Sequence, residues 1–542
     1  MSSANNTRTA ALIRQTGLWI FLGALGLFTS LTFIGRFDMT PDALDTWLSQ
    51  SDIQSVHFAQ RAKALLTDRT FDYAWQMTAE ISNLVDENNR FQRSINHPQD
   101  LIYTSVEELG LRAAKLSAAG VIASHKTLFL FLTIFMGFAG ALAFMMPAVF
   151  ARMRPGNHHV YHDSVTNRGP VAWLALVYLI GFYLVLYFRP SVLTNMTLVA
   201  DPVSEMMSGR PASQWFLYGF LYCMAMKAMG VRMWVKYRHN KYQVFRTFSV
   251  VFFQLIFAFL LVEILPMFQL PAVDLKNAWP LDYGFLFDYR VKNLFESGNA
   301  GKFIFIWGIA LTVVIVPVMT YFYGKRWYCS WVCGCGGLAE TLGDPFRQHS
   351  DKTLKAWRFE RWAVHGVLLF AIVMTIWTGW HTYQVFNQPA DTGTRDMLLG
   401  ISAFDIRQWY GLLIGAWFSG VIGTGFYPIF GNRVWCRFGC PLAAYLGIVQ
   451  RLKSRFRITV NGGQCISCGN CSTYCEMGID VRAYAQRGQN VVRASCVGCG
   501  ICAEVCPRGV LKLENGSTVE RISDNPILIG RDGARLKGSE II

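Results

Sequence analysis

Two runs of cysteine near the C-terminal end constrain this chain more than any other feature. The first is Cys465, Cys468, Cys471 and Cys475. The second, after twenty intervening residues, is Cys496, Cys499, Cys502 and Cys506, followed by Pro507. Both are spaced C-x2-C-x2-C-x3-C. Three closely spaced thiolates in a tight loop can grip three corners of an iron–sulfur cubane, while the fourth, carried away by the next turn, ligates the other cluster. This interleaving assigns one [4Fe–4S] cluster to Cys465, Cys468, Cys471 and Cys506, and a second to Cys496, Cys499, Cys502 and Cys475. Zinc sites pair two C-x2-C knuckles across a longer gap, and disulfide frameworks belong to small secreted domains, so both fit this density poorly. Gly469, Gly498 and Gly500 agree with a cluster loop, because backbone there must approach sulfur without a Cβ in the way.

The rest of the chain is of a different kind. Of its 542 residues, 52% are hydrophobic and only 16% charged, against about a quarter charged in soluble domains. Eight segments are long and apolar enough to cross a bilayer core of about 30 Å, near Leu18–Ile34, Thr127–Phe150, Val171–Phe188, Trp215–Val231, Phe248–Leu265, Phe303–Tyr323, Trp362–Trp380 and Tyr410–Ile429. The net charge of +15 sits in short loops beside these spans, which argues for a membrane and against nucleic acid as the partner. Basic loops at 151–170, 232–246, 324–361 and after 429 alternate with mixed or acidic ones. The positive-inside rule then places the N-terminus and the cysteine-rich tail in the cytoplasm of a multi-pass protein of the bacterial inner membrane. Thiols stay reduced there. The first apolar run, Gly17 to Gly35, lacks a small-residue cleavage site and reads as an anchor. The expected architecture is mainly α: a polytopic helix bundle, a small helical periplasmic domain at 36–126, and a C-terminal α+β domain carrying two clusters. The division is an anchor at 1–35, the periplasmic domain, membrane helices at 127–301 and 302–460, the cluster domain at 461–515 and a tail at 516–542.

A second cysteine pattern lies at the membrane boundary. Gly324-Lys-Arg326-Trp-Tyr-Cys329-Ser-Trp-Val-Cys333 and Gly431-Asn-Arg433-Val-Trp-Cys436-Arg-Phe-Gly-Cys440 share the phrase G-x-R-x-aromatic-C-x3-C, 107 residues apart. The echo continues from Leu338 to Gly343 and from Leu442 to Gly447, with Gly334, Cys335 and Gly336 as three extra residues in the first copy. C-x3-C spacing is expected to place two thiols on one face of a helical turn. Brought together, Cys329, Cys333, Cys335, Cys436 and Cys440 offer up to five sulfurs to a third iron–sulfur, copper or other metal centre, or act as redox-active dithiols.

Paired membrane cysteine turns followed by a two-cluster bacterial-type ferredoxin domain resemble the NapH, NosR and CcoG group of membrane polyferredoxins, over about residues 302–515. The resemblance implies electron transfer between cytoplasmic [4Fe–4S] clusters and a membrane or periplasmic acceptor or donor, either a quinone or a respiratory partner protein. The chain would be an oxidoreductase or an electron-transfer subunit, in contact with membrane lipid and other membrane subunits. The CcoG-like alternative is an assembly or regulatory factor that reduces a metal ion for a metalloenzyme. This chain departs from the group in having Gly334 in place of proline, in the extra Cys335, and in Glu476 where a proline commonly follows the first run. That last departure is read as touching the turn and no ligand.

Other signals are weaker. His365 and His381 lie on one span, about 24 Å apart at 1.5 Å per residue. His125, His158, His159, His162 and His239 supply no partner at matching depth, so haem b is not expected. Glu263 reads as a hydrated rim residue, Lys227 as snorkelling, and Cys223 as packing. Arg451, Lys453, Arg455 and Arg457 read as lipid-headgroup contacts. No C-x-x-C-H, Walker loop or dinucleotide fingerprint occurs.

Overall fold

The computed structural model describes residues 2–51, 53, 55–152, 168–387, 401–461, 464–515, 527–528 and 535–536. Arg154, His158, His159 and His162, and most of the tail at 516–542, lie outside the described residues. The chain forms two compact units, one from 1–148 with 181–228 and the other from 149–180 with 229–542.

The first unit holds the segment expected to be a helical domain. Helices Pro41–Gln50, Val56–Leu66, Ala74–Ser94 and Val106–Leu116 enclose a core that includes Trp47, Phe58, Met77, Ile81 and Leu109. Local chemistry starts the first of these: the Thr40 hydroxyl accepts from the Ala43 N–H and Pro41 opens the helix, a combination that satisfies one orphan donor and removes another. The indole N–H of Trp47 donates to the Leu109 carbonyl at 3.1 Å. A two-stranded antiparallel pair, Phe37–Met39 with Arg69–Phe71, joins the helices. Three-residue strands are too short to show the period-two pattern by which strands are read from sequence. Buried Asp201 takes Lys115 at 2.6 Å and Lys126 at 2.8 Å.

Six helices among the described residues are long and apolar enough to cross a membrane: Arg8–Phe33, Lys126–Pro147, Pro170–Phe188, Lys241–Phe268, Gly298–Tyr323 and Leu354–Asn387. The other two expected spans are helical but less apolar. Gln214–Tyr237 carries Lys227, Arg232 and Lys236. The run from Ala403 through Tyr410 and Gly411–Ile422 to Gly423–Gly425 is diluted by glycine and widens into π-helical turns.

In the second unit, each of two helical segments ends at a glycine in a left-handed conformation, Gly324 (φ +66) and Gly431 (φ +90), and each passes directly into a cysteine turn. The cysteine-rich domain is closed by an antiparallel pair, Phe456–Val460 with Leu511–Asn515. This sheet joins the entry and exit of the domain, so that Cys506 returns beside the loop that begins at Cys465.

Candidate functional site

The two cluster loops have one backbone, repeated 31 positions apart. Left-handed residues fall at Ser467, Gly469 and Gly478 in the first half (φ +60, +82, +66) and at Gly498, Gly500 and Gly509 in the second (φ +65, +75, +61). Short helices follow at matching places, Asn470–Thr473 and Ile501–Glu504. Repeated left-handed residues curl each loop into a bowl, the shape that turns backbone N–H groups towards an anionic centre. Two such bonds already reach sulfur: Ser467 N–H to Cys465 Sγ and Ile479 N–H to Cys475 Sγ, each at 3.4 Å.

The fourth cysteines are exchanged between the loops. A cavity is lined by Cys465, Cys468, Cys471 and Cys506 together. The Cys471 thiol is pushed up to about 12 by burial and then by Cys506, Cys468 and Cys465. Cys502 is raised well above 9.0 by burial and then by Cys499, Cys496 and Cys475, with Cys471 weaker still. Each set of four is therefore close enough for its charges to interact. A buried thiol that resists ionisation alone becomes a thiolate when a metal takes the place of its proton.

Their surroundings differ. In the first loop Cys468 is exposed and Ile466 is 53% exposed. In the second, four successive carbonyls are capped by side chains from the membrane part of the chain. Gln450 donates to Cys496 O, Ser330 to Val497 O, Tyr242 to Gly498 O, and both Gln243 and Arg246 to Cys499 O, at 2.7–3.1 Å. Gly498 is required here, since a Cβ would stand 2.6 Å from the Arg326 Cβ.

The duplicated cysteine turns also repeat in backbone. Ser330 N–H bonds to Arg326 O, and Arg437 N–H to Arg433 O, both at 2.9 Å. Cys333 N–H bonds to Tyr328 O at 2.8 Å, and Cys440 N–H to Trp435 O at 2.9 Å. The expectation of two thiols on one continuous helical turn needs correction. Cys329 ends the short helix Arg326–Cys329 and Cys436 sits in the π turn Trp435–Gly439, but Cys333 and Cys440 are extended and serve as N-caps of the helices Gly334–Thr341 and Pro441–Lys453. Pro441 explains the second break, because the residue before proline is forced out of the α region. The N-cap position places each thiol where a helix dipole and free N–H groups favour a thiolate; Ala443 N–H lies 3.4 Å from Cys440 Sγ.

All five sulfurs converge. Cys440 is raised by burial and then by Cys436, Cys333 and Cys329. Cys335 is raised through its hydrogen bond to Cys333, then by burial, Cys436 and Cys440. Cys333 is drawn below the usual thiol value by that hydrogen bond from Cys335, against burial and with help from the Gly336 N–H. The three extra residues fit because Gly336 lies against the Cys329 carbonyl, where a Cβ would stand at 2.0 Å.

A buried ionic network, illegible in the sequence, links the cysteine groups. Arg433 contacts Cys436 Sγ at 3.7 Å and donates to Cys329 O at 3.3 Å. The same side chain pairs with Glu340, and with Glu476 at 3.1 Å. Glu476 also binds Arg347 at 2.8 Å, and Arg347 reaches Cys499 Sγ at 3.9 Å. Asp344 anchors the far end through Arg232, Lys236 and Arg347 at 2.8–3.2 Å. Glu476 is 1% exposed, so the residue read as a mere change of turn is the junction of this network. The signal available was a carboxylate in place of proline beside a ligand cysteine; its two arginine partners are 43 and 129 residues away in sequence.

The donor set suits cubanes. Among the described residues no three His, Cys, Asp or Glu side chains form the grouping of a single metal ion's ligands. Cationic and N–H donors aimed at sulfur are the contacts by which a protein tunes such a group. Other candidates are engaged elsewhere or packed. His239 Nε2 meets Glu504 at 2.8 Å, the His125 ring lies 3.3 Å from the Val121 carbonyl, and Cys223 is 3% exposed.

A family model described as a 4Fe-4S dicluster domain matches residues 464–511. A second, a 4Fe-4S binding domain, matches residues 305–353 and 413–459, one match on each cysteine turn. These domains, on a chain with apolar helices of membrane-spanning length, define an iron–sulfur membrane protein. Over these residues the chain is similar to membrane polyferredoxins. The putative electron transport protein YccM of Escherichia coli (strain K12) is 27% identical over 192 residues, 35% of this chain and 52% of that protein. The methylamine utilization ferredoxin-type protein MauN of Methylobacillus flagellatus is 27% identical over 166 residues, 30% of this chain and 52% of that protein. The MauN of Paracoccus denitrificans is 27% identical over 191 residues, 34% of this chain and 59% of that protein. The chain thus spans about half the length of the curated relatives it matches. No solved structure matches it.

Proposed function

We propose that this protein passes single electrons between a soluble partner and an acceptor or donor in or across the bacterial inner membrane, with its N-terminus and cysteine-rich domain in the cytoplasm. Cys465, Cys468, Cys471 and Cys506 hold an outer [4Fe–4S] cluster. Cys496, Cys499, Cys502 and Cys475 hold an inner one. Cys329, Cys333, Cys335, Cys436 and Cys440 hold a third metal or iron–sulfur centre. Such clusters, when bound, supply one-electron redox chemistry without a general acid or base. The polypeptide provides the order. The Cys468 loop meets solvent and presents Ile466 to a docking protein. The Cys496–Cys502 loop is locked against the membrane turns by Ser330, Tyr242, Gln243, Arg246 and Gln450. Arg347 and Arg433 then face the inner group and the membrane group from opposite ends of one ionic chain. The membrane-side partner is a quinone or another protein subunit; the electron-transport and ferredoxin-type relatives support electron transfer in general.

The observation that carries this reading is the exposure of the three cysteine groups: the outer one holds exposed Cys468, the four inner cysteines are half-buried, and Cys329, Cys333, Cys436 and Cys440 of the membrane group are buried. Anaerobic reconstitution of the full chain, with iron and sulfide analysis and electron paramagnetic resonance, tests it. Cys468→Ser is expected to remove one cluster signal and slow reduction by soluble donors, with the inner signal kept. A protein without iron above trace overturns the reading, as does loss of membrane-linked oxidation only when the outer cysteines are changed.

A further inference from the structure

A second cavity lies beside these centres, with Cys436 of the membrane group in its lining. A cavity of about 470 Å³ opens between the start of the helix Leu354–Asn387, the helix Pro441–Lys453 and the segment before Cys496. Its volume falls in the range of small-molecule sites, about 300–1,000 Å³. Five cations line it: Lys325, Arg361, Arg437, Arg451 and Arg493. The single lining carboxylate, Glu360, is already bound to Arg437 at 2.7 Å.

The remaining four cations have no carboxylate partner among the described residues. Lys325 is 2% exposed, and its ammonium has a backbone carbonyl, Ala494 O, at 3.2 Å. Its charge also acts on the Cys329, Cys436 and Cys496 thiols, so it faces the cysteine groups as well as the cavity. Arg361 and Arg493, from distant parts of the chain, lie over the ring of Trp357 at 5.2 and 5.0 Å. Stacking fixes two guanidinium planes while leaving their N–H forks free, which is the arrangement that takes phosphate oxygens in bidentate fashion.

We infer that this cavity binds a phosphate-bearing anion, with Arg361 and Arg493 as its principal contacts and Arg451 at the mouth. Two sources share that chemistry: the headgroup of an anionic phospholipid, since one wall is the end of a membrane-length helix, and a soluble phosphate compound.

The test uses the full-length holoprotein in nanodiscs. In phosphatidylcholine discs, inorganic pyrophosphate is titrated by calorimetry. In a second arm, phosphatidylglycerol is added and its stoichiometric retention is read by native mass spectrometry. Binding in either arm is expected, and the responding arm names the source. The Arg361→Gln/Arg493→Gln double variant is expected to weaken that binding by about tenfold or more, the effect of losing a charge-assisted contact, with iron content unchanged. Should the double variant lose iron, exposed Arg451→Gln is used instead, with a weakening of about threefold expected. Neither probe binding the wild type, or both variants binding as it does, overturns the assignment.

Discussion

The two cluster loops are the same structure in two environments. Left-handed residues, short helices and cysteine spacing coincide, yet one loop carries an exposed Cys468 and the other has four carbonyls capped by membrane-side residues. The loop backbone is therefore a local property, and the asymmetry between the clusters comes from what is packed around them. An exposed centre suits exchange with a diffusing partner. A capped centre, with cationic donors at its sulfur, suits a fixed neighbour and a tuned potential.

The largest blow to this asymmetry is expected at Glu476. Glu476→Leu leaves Arg347 and Arg433 short of a buried counter-charge, at a cost of about 3–5 kcal/mol. Thermal unfolding and iron retention of the holoprotein measure it, and the inner cluster should be lost first. Next comes Gly498→Ala, which sets a left-handed alanine against the Arg326 Cβ. A loss of about 1–3 kcal/mol is expected, with the inner cluster signal disturbed and the outer one intact.

Acid separates the environments by a further amount. Burial pulls the Asp344 carboxyl up, but Lys236, Arg232 and Arg347 outweigh it and hold the group well below 3.8. A depressed folded value means the stabilisation is present above about pH 3.8 and is lost as pH falls below it towards the folded value. Asp344→Asn should therefore lower the melting temperature near neutrality, and the gap to wild type should narrow as pH drops below 3.8.

A smaller, more selective effect is expected from Arg347→Gln. Removing the guanidinium near Cys499 Sγ should shift the inner cluster's midpoint negative, by about 60 mV for each tenfold change in equilibrium constant in a one-electron couple, and leave the outer cluster in place. Redox titration followed by paramagnetic resonance reads both at once. The smallest change is Ser467→Gly, which relieves a left-handed residue that lacks glycine's freedom. A gain of up to about 1 kcal/mol is expected, and a loss would show that the serine contacts outweigh the backbone strain.

Much of the site was legible in residue spacing. The cysteine spacings, the repeated phrase of the turns and the left-handed glycines are short-range patterns; the glycines appear at matching places in the two cluster loops, whereas Cys333 and Cys440 leave the helical turn that the spacing suggests. The membrane helices were legible to the extent that composition decides them. Helix Gln214–Tyr237 and the glycine-rich run after Ala403 were harder, because helicity and apolarity diverge there. The break before Cys440 could have been read from Pro441. The matching break before Cys333 had no such marker.

What the sequence by itself determined is the set of candidate ligands and the local backbone, because a cluster loop needs fixed spacing and permissive φ angles within a dozen residues. What only the tertiary structure decided is the electrostatics. Glu476 meets Arg347 and Arg433, Arg493 meets Trp357, and five thiols from two turns meet one another across 107 residues of chain. Charges act through space, and a linear spacing carries no record of which distant cation a buried carboxylate will face.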